Sequence, residues 1–313
     1  MIMKLSPEIK RSLGFCGLKA EDSLGHFSLE EHKILSSWSP QGVVMQAWER
    51  DMGVDILVRI KKGVRLKKEL FFCFGVKRKK GQQIVRPKII LEKDSEATIV
   101  SHCGFPLAEK VLHQMEGKFL LEEGAKLNYR EYHYHGEKSG AEVFPKLKVE
   151  LKEGSAFLSD FSLTQGSVGK VRIELEVLVG TKAKAEIITK AMGQGSKDEV
   201  IIVDKVYLAE KEARSLIKMR AAAKNGGQVL MQGETYAFKS GCRGHIDCQE
   251  ILIGQKSVAR AVPIVEVSHP EARITHEASV GKINQKELET LMTRGLTENQ
   301  AAMLIVDSIM QNT

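Results

Sequence analysis

An echo in the middle of the chain limits its possible folds more than any other feature. Leu91-Glu-Lys-Asp-Ser-Glu-Ala97, Leu121-Glu-Glu-Gly-Ala125, Leu151-Lys-Glu-Gly-Ser-Ala156 and Leu208-Ala-Glu-Lys-Glu-Ala213 each run from a leucine through an acidic or glycine turn to an alanine. The leucines lie 30, 30 and 57 residues apart, and Leu178-Val-Gly-Thr-Lys-Ala183 is a degenerate copy inside the last gap. Period-two runs such as Val54–Ile60, Lys146–Leu151 and Val171–Val177 are separated by Gly, Ser and charged residues rather than helix-length segments, the alternation of strands with one buried face. A period near 30 residues with two or three short strands per unit predicts a mainly β chain coiled as a β-solenoid. A β-sandwich, also built from regularly spaced strands, is the competing fold. No unit this short buries its apolar face alone, so the stack itself must be the core.

Both ends read as helical. Ser6-Pro7 offers an N-cap with proline at the first helical position. Ser28-Leu-Glu-Glu31 has the form of a capping box leading into Glu30–Trp38, with Met45, Trp48 and Glu49 closing the segment. At the other end Asn284-Gln-Lys-Glu287 starts a helix with Leu288, Leu291 and Met292 on one face, and Gly295 stops it. Thr297-Glu-Asn-Gln300 caps a second helix carrying Met303, Leu304, Ile305, Ile309 and Met310. The expected organisation is a helical segment over 1–52, a solenoid over 53–283 and a helical segment over 284–313. The last could close the solenoid's open end or dock a partner.

Several classes are excluded or disfavoured. No apolar run reaches the roughly 18 residues of a membrane span, and Met1–Pro7 lacks the apolar core of a secretory signal. A cytoplasmic protein without membrane contact is expected. Five cysteines (16, 73, 103, 242 and 248) are an odd, scattered set without Cys-x-x-Cys, which suits a reducing compartment. Gly166-Ser-Val-Gly-Lys170 lacks the first glycine and the hydroxyl residue of a phosphate loop. The chain therefore reads as a non-enzyme. Net charge is +7 and is concentrated between Arg59 and Lys80, where Glu69 is the sole opposing charge. With aromatics at 6%, that patch fits solvated strands better than a nucleic-acid surface.

Two stretches could bind metal. Gly241-Cys-Arg-Gly-His-Ile-Asp-Cys248 and Thr275-His-Glu-Ala278 supply a thiol, imidazoles and a carboxylate, donors suited to iron or an iron–sulfur cluster. Cys248, His276 and Glu277 are the leading ligands. Adjacent strand residues face opposite sides, however, so His276 and Glu277 should not both reach one metal. His245 and Cys242 are weaker candidates. In Tyr132-His-Tyr-His135, His133 and His135 share a strand face and could also meet one metal.

Gly244-His-Ile-Asp-Cys-Gln-Glu-Ile251, Ala261 through Ala278, and Glu287-Leu-Glu-Thr-Leu-Met-Thr-Arg-Gly-Leu-Thr297 together resemble the SufB/SufD family, in its short SufB-like form. The resemblance is close over about 205–310, weaker over 85–205, and adds little over the first eighty residues. It implies a right-handed parallel β-helix flanked by helical segments, paired with a like subunit through its C-terminal part. It implies a scaffold for assembling and transferring an iron–sulfur cluster, of the 4Fe-4S type and held transiently. The C-terminal helices would dock a SufC-like ABC-type ATPase, and recipient apo iron–sulfur proteins would take the cluster. The family's cluster-building cysteine corresponds to Cys248, and its His-Glu pair to His276 and Glu277. The alternatives are a partner of that ATPase that binds no cluster, or a basic nucleic-acid-binding protein.

Overall fold

A computed structural model describes residues 4–19, 23–138 and 140–311. Its strands alternate between two sheets. The first contains β1 (Gly25–Glu30), β2 (Lys33–Trp38), β5 (Leu70–Gly75), β7 (Glu96–Gly104), β9 (Lys126–Tyr134), β11 (Ala156–Gln165), β13 (Lys184–Gly193), β15 (Arg214–Lys224), β17 (Arg243–Ile253) and β19 (Arg273–Lys282). The second contains β3 (Val43–Arg50), β4 (Gly53–Ile60), β6 (Lys80–Leu91), β8 (Lys110–Leu121), β10 (Ala141–Leu151), β12 (Lys170–Val179), β14 (Glu199–Leu208), β16 (Gln228–Ala237) and β18 (Val258–Val267). Each turn adds one strand to either sheet and pairs in parallel with the turn before it, making a β-solenoid of about eight turns.

The sequence echo is the corner between the sheets. Glu96 is in register with Lys126 and Lys126 with Ala156, while Ala156 is in register with Lys184, so the period drifts slightly. At the corner Gly63, Asp94, Gly124, Gly154, Lys182, Glu212 and Gly241 are left-handed, with φ between 56° and 72°. The amides of the first six bond at 2.9–3.0 Å to a carbonyl of the following turn. These residues stand third in four-residue turns such as Glu92–Ser95, Glu122–Ala125 and Lys152–Ser155, where a left-handed φ reverses the chain. The next residue points inward and is small: Ser95, Ala125, Ser155, Ala183, Ala213 and Cys242 are all buried. Val179, rather than Leu178, is in register with Leu151 and Leu208.

Inward positions from both sheets make one continuous core from Phe27 to Ala272. On the outer face, register neighbours carry opposite charges, as in Lys146–Glu174 and Lys148–Glu176. Such exposed pairs contribute little individually but suppress like-charge contact along the sheet. The basic stretch is partly neutralised by residues remote in sequence: Arg59 pairs with Glu92, Lys77 with Glu30 and Lys79 with Glu109.

The expectation of a helical first fifty residues is corrected. Among the described residues there, only α1 (Pro7–Phe15) is helical, with Ser6 as N-cap and Pro7 at the start. Ser28-Leu-Glu-Glu31 is not a capping box but the end of β1 and a turn into β2, and Met45, Trp48 and Glu49 lie on β3. Phe27 and Leu29 alternate into the core, β1 runs parallel to β5, and the Ser28 hydroxyl meets that of Ser36 at 2.7 Å. Tertiary pairing thus overrides a local capping signal. The hairpins β1–β2 and β3–β4 are antiparallel and close this end of both sheets. Helix α1 covers the outside of the first sheet, placing Ile9 and Leu13 against Phe71, Cys73 and Val100.

The C-terminal helices form where expected. In α2 (Gln285–Met292) Asn284 Oδ1 accepts from the amides of Lys286 and Glu287. A reciprocal Thr297–Gln300 box starts α3 (Glu298–Gln311). Val306 and Met310 pack on Met192 and Ala222, so α3 lies on β13 and β15 rather than across the end strands β18 and β19.

The corner geometry makes two glycines differ. A methyl on Gly154 meets no atom within 4 Å, so Gly154→Ala should cost only the left-handed strain, about 1 kcal/mol. On Gly136, φ 75°, it would lie 2.4 Å from the Pro106 carbonyl oxygen, and the cost should reach about 3 kcal/mol or more. Urea unfolding midpoints would rank the two variants, and equal losses would contradict this account.

Candidate functional site

The last turns separate the residues that the sequence grouped. On β17, Ile246 and Cys248 join the core and therefore point inward. On β19, Ile274 packs against that core, and His276 is in register with Ile246 and Ala278 with Cys248. His276 therefore has the inward phase of Cys248. Glu277 is in register with Asp247 and has the outward phase, as does His245, whose Nδ1 contacts Thr275 Oγ1 at 2.7 Å. The four predicted residues split into an inner pair, Cys248 and His276, and an outer pair, His245 and Glu277. Cys242 is placed in the inward column of small corner residues, its thiol directed at the carbonyls of Leu208 and Glu210.

Cys248 is 1% exposed, whereas His276 and Glu277 are exposed on the final strand. Burial, and then the neighbouring acids Glu250, Asp204 and Asp247, push the Cys248 thiol up to about 12, with Arg220 opposing. The thiol is therefore neutral in the isolated chain, and becoming a thiolate ligand requires opening toward solvent or cations.

Acidic residues on the inner face were missed from sequence. Glu250 lies two residues beyond Cys248, hence on the same strand face, and both its carboxyl oxygens lack hydrogen-bond partners among the described residues. Burial raises it to about 7. Asp204, on the opposite sheet, is likewise raised to about 7 by burial, although it accepts a 2.8 Å hydrogen bond from Thr189. The two-residue spacing of Cys248 and Glu250 was the available signal. Asp204 had none, since only the fold brings β14 opposite β17. On the outer face Arg220 bonds Asp247 and the carbonyls of Met219 and Asp247, setting a cation beside the Glu277 row.

The turn carrying these groups is uncovered. Strands β18 and β19 are the edges of the two sheets, and Ile264, Val267 and Val280 are exposed upon them. His133 and His135 do share a face, as the sequence suggested, but it is the interior face four turns away, where both are buried.

The fold and its last turns define a parallel β-solenoid with a buried thiol and buried acids next to two bare strand edges. Comparison places it more narrowly. The SUF system FeS cluster assembly SufBD core domain matches residues 74–309, and the chain belongs to the SufBD family. It is 36% identical to an iron-sulfur cluster assembly SufBD family protein of Methanocaldococcus jannaschii, over 89% of this chain and 87% of the relative. A Pyrococcus horikoshii protein described likewise is 30% identical over 89% and 84%. The iron-sulfur cluster assembly protein SufB of Bacillus subtilis is 22% identical over 80% of this chain and 53% of its own length. Among the described residues no helix is long and apolar enough to cross a membrane.

The raised carboxyl of Asp204 fixes a pH dependence. Its folded value near 7 lies above the ordinary 3.8, so the folded chain holds that proton more tightly than the unfolded one. Stability should fall between about pH 4 and pH 7, by a few kcal/mol at most for this group. Asp204→Asn should flatten the thermal midpoint against pH over that window, and an unchanged slope would assign it to other groups.

Proposed function

We propose that this chain is a non-enzymatic scaffold on which an iron–sulfur cluster, its cargo, is assembled and from which it is handed on. The observation that carries this reading is Cys248, a buried thiol on the penultimate strand of the first sheet, directly beneath an unpaired edge. A mixed set of Cys248, His276 and Glu277, with His245 beside them, would hold a cluster less firmly than four thiolates, and a scaffold must release what it builds. Because Cys248 and Glu277 face opposite sides of the sheet, loading requires β19 to move or a second subunit to contribute.

Two features supply a means. Exposed apolar residues beside unpaired strand edges favour pairing with another copy through β18 and β19, giving a homodimer with the cluster at its interface. The α2–α3 pair leaves Met292 and Leu304 exposed, Leu304 by 49%, a surface suited to a SufC-like ABC-type ATPase. Since α3 rests on β15, movement of a docked ATPase would reach the strand next to β17. A 4Fe-4S cargo, a cytoplasmic setting and recipient apo iron–sulfur proteins complete the reading.

Anaerobic reconstitution with iron and sulfide, with the ATPase present, tests it. Wild type should acquire cluster absorption, and Cys248→Ser should lose most of its bound iron, with Glu277→Ala intermediate. A wild type that binds the ATPase yet holds no iron would leave a partner-only role as the better account.

A further inference from the structure

Inside the solenoid, four turns from Cys248, lies a second set of metal-binding side chains. Cys103 on β7 and His133 on β9 are register partners, and Glu131 shares the inward face of β9 with His133. Cys103 Sγ is 3.8 Å from Glu131 Oε1, and His133 Nε2 is 2.8 Å from the same oxygen. One donor atom from each of the three lies within 4.8 Å of the others, and all three residues are buried. We propose that Cys103, Glu131 and His133 form an interior site for one divalent transition-metal ion, zinc(II) or iron(II), separate from the cluster edge.

Proton positions around His133 favour ligation. His135 Nδ1 lies 2.7 Å from the Val168 carbonyl oxygen, which can only accept, so His135 carries its proton on Nδ1. With Nδ1 so committed, the neutral ring leaves Nε2 bare. That nitrogen is 3.2 Å from His133 Nδ1 and must accept its proton. His133 is thereby fixed with Nδ1–H turned away and Nε2 directed at Glu131, the outer support that metal-binding imidazoles ordinarily have. A further bare nitrogen borders the group. The Gln83 amide donates to the carbonyls of Glu31 and Gly75, so its Oε1 accepts from His113 Nδ1. His113 Nε2 is left buried and without a partner among the described residues, its ring 6.4 Å from that of His133.

The charge balance suits an apolar interior. Without metal, a thiol on Cys103 and the one hydrogen that the 2.8 Å approach of Glu131 Oε1 to His133 Nε2 requires leave the group without net charge. Binding one dication releases the thiol proton and the shared proton. A thiolate, a carboxylate, a neutral imidazole and a 2+ ion then sum to zero, so no net charge enters the core. The 3.8 and 2.8 Å separations bracket the roughly 3.3–3.6 Å edges of a tetrahedral site with metal–sulfur near 2.3 Å and metal–nitrogen near 2.0 Å. A thiol, an imidazole and a carboxylate together suit zinc(II) and iron(II) better than magnesium or calcium.

Cobalt(II) tests the site, because a thiolate ligand gives it an intense charge-transfer absorption that oxygen and nitrogen ligands do not. The Cys248→Ser protein, lacking the edge thiol, is produced with cobalt as the supplied divalent metal, so that the ion is present as the chain folds, and is purified without oxygen. About one cobalt per chain with the thiolate band is expected. Adding Cys103→Ala should abolish the band and lower bound cobalt at least about tenfold, with circular dichroism and melting preserved. Cys103→Ser, closer in size should the alanine variant misfold, should lose the band as well. His135→Phe should weaken binding by roughly 10–100-fold through loss of orientation alone. No cobalt in the Cys248→Ser protein, or a thiolate band that survives both Cys103 substitutions, overturns the site. Either failure leaves the scaffold reading intact, since Cys248 is absent throughout.

Discussion

The backbone ladder between successive turns is the interaction on which the rest of this molecule depends. No turn buries its inward face or satisfies its amides alone; each borrows partners from the turns on both sides. The left-handed corner residues extend that ladder around one edge, so even the bend between sheets bonds from turn to turn. A structure made this way is uniform along its length and differs only at its ends and at interior positions where a polar residue replaces an apolar one. Both departures are present here. The polar interior includes Glu131, His133 and His135 at one level, Thr189 and Asp204 further along, and Cys248 and Glu250 two turns beyond those, while the C-terminal end leaves two strand edges bare.

Much of this was legible in the chain, for identifiable reasons. The corner repeats because one backbone geometry recurs about every 30 residues, and a repeated demand for a left-handed residue followed by a small inward one leaves a readable trace. The C-terminal caps were legible because Asn284 and the Thr297–Gln300 pair act within four residues. Ser28-Leu-Glu-Glu31 misled because the same side chains serve a turn once β5 offers β1 a parallel partner, and nothing local reports that offer. Alternation correctly kept His276 and Glu277 apart. It also placed His133 with His135, but the Cys103 that meets them comes from the preceding turn, and contact across turns is invisible until the register is known.

The interior acids change how Cys248 should be regarded. A thiol surrounded by apolar groups is inert, and one beside carboxyls even more so, because each negative charge opposes another. Burial raises Glu250 and Asp204 to about 7, so near neutral pH each carboxyl keeps its proton about half of the time and less charge sits beside the thiol. Under the scaffold reading proposed above, the thiol would exchange its proton for a metal when the end turn opens, which would couple the state of the thiol to the state of the edge.

The opposite end of the coil gives the open one its meaning. Antiparallel hairpins finish the N-terminal side, reversing strand direction so that no further parallel turn can be added there, and Glu49 occupies the Ile34 amide on β2 at 2.9 Å. The N-terminal edges β2 and β3 are thus turned back by hairpins, whereas β18 and β19 continue the parallel run to the other edge. A coil with two bare ends could stack without limit into fibres, whereas one with a single bare end can be completed by one partner and then has nothing left to offer. If the pairing proposed through β18 and β19 holds, this asymmetry makes the chain a unit that joins once and stops.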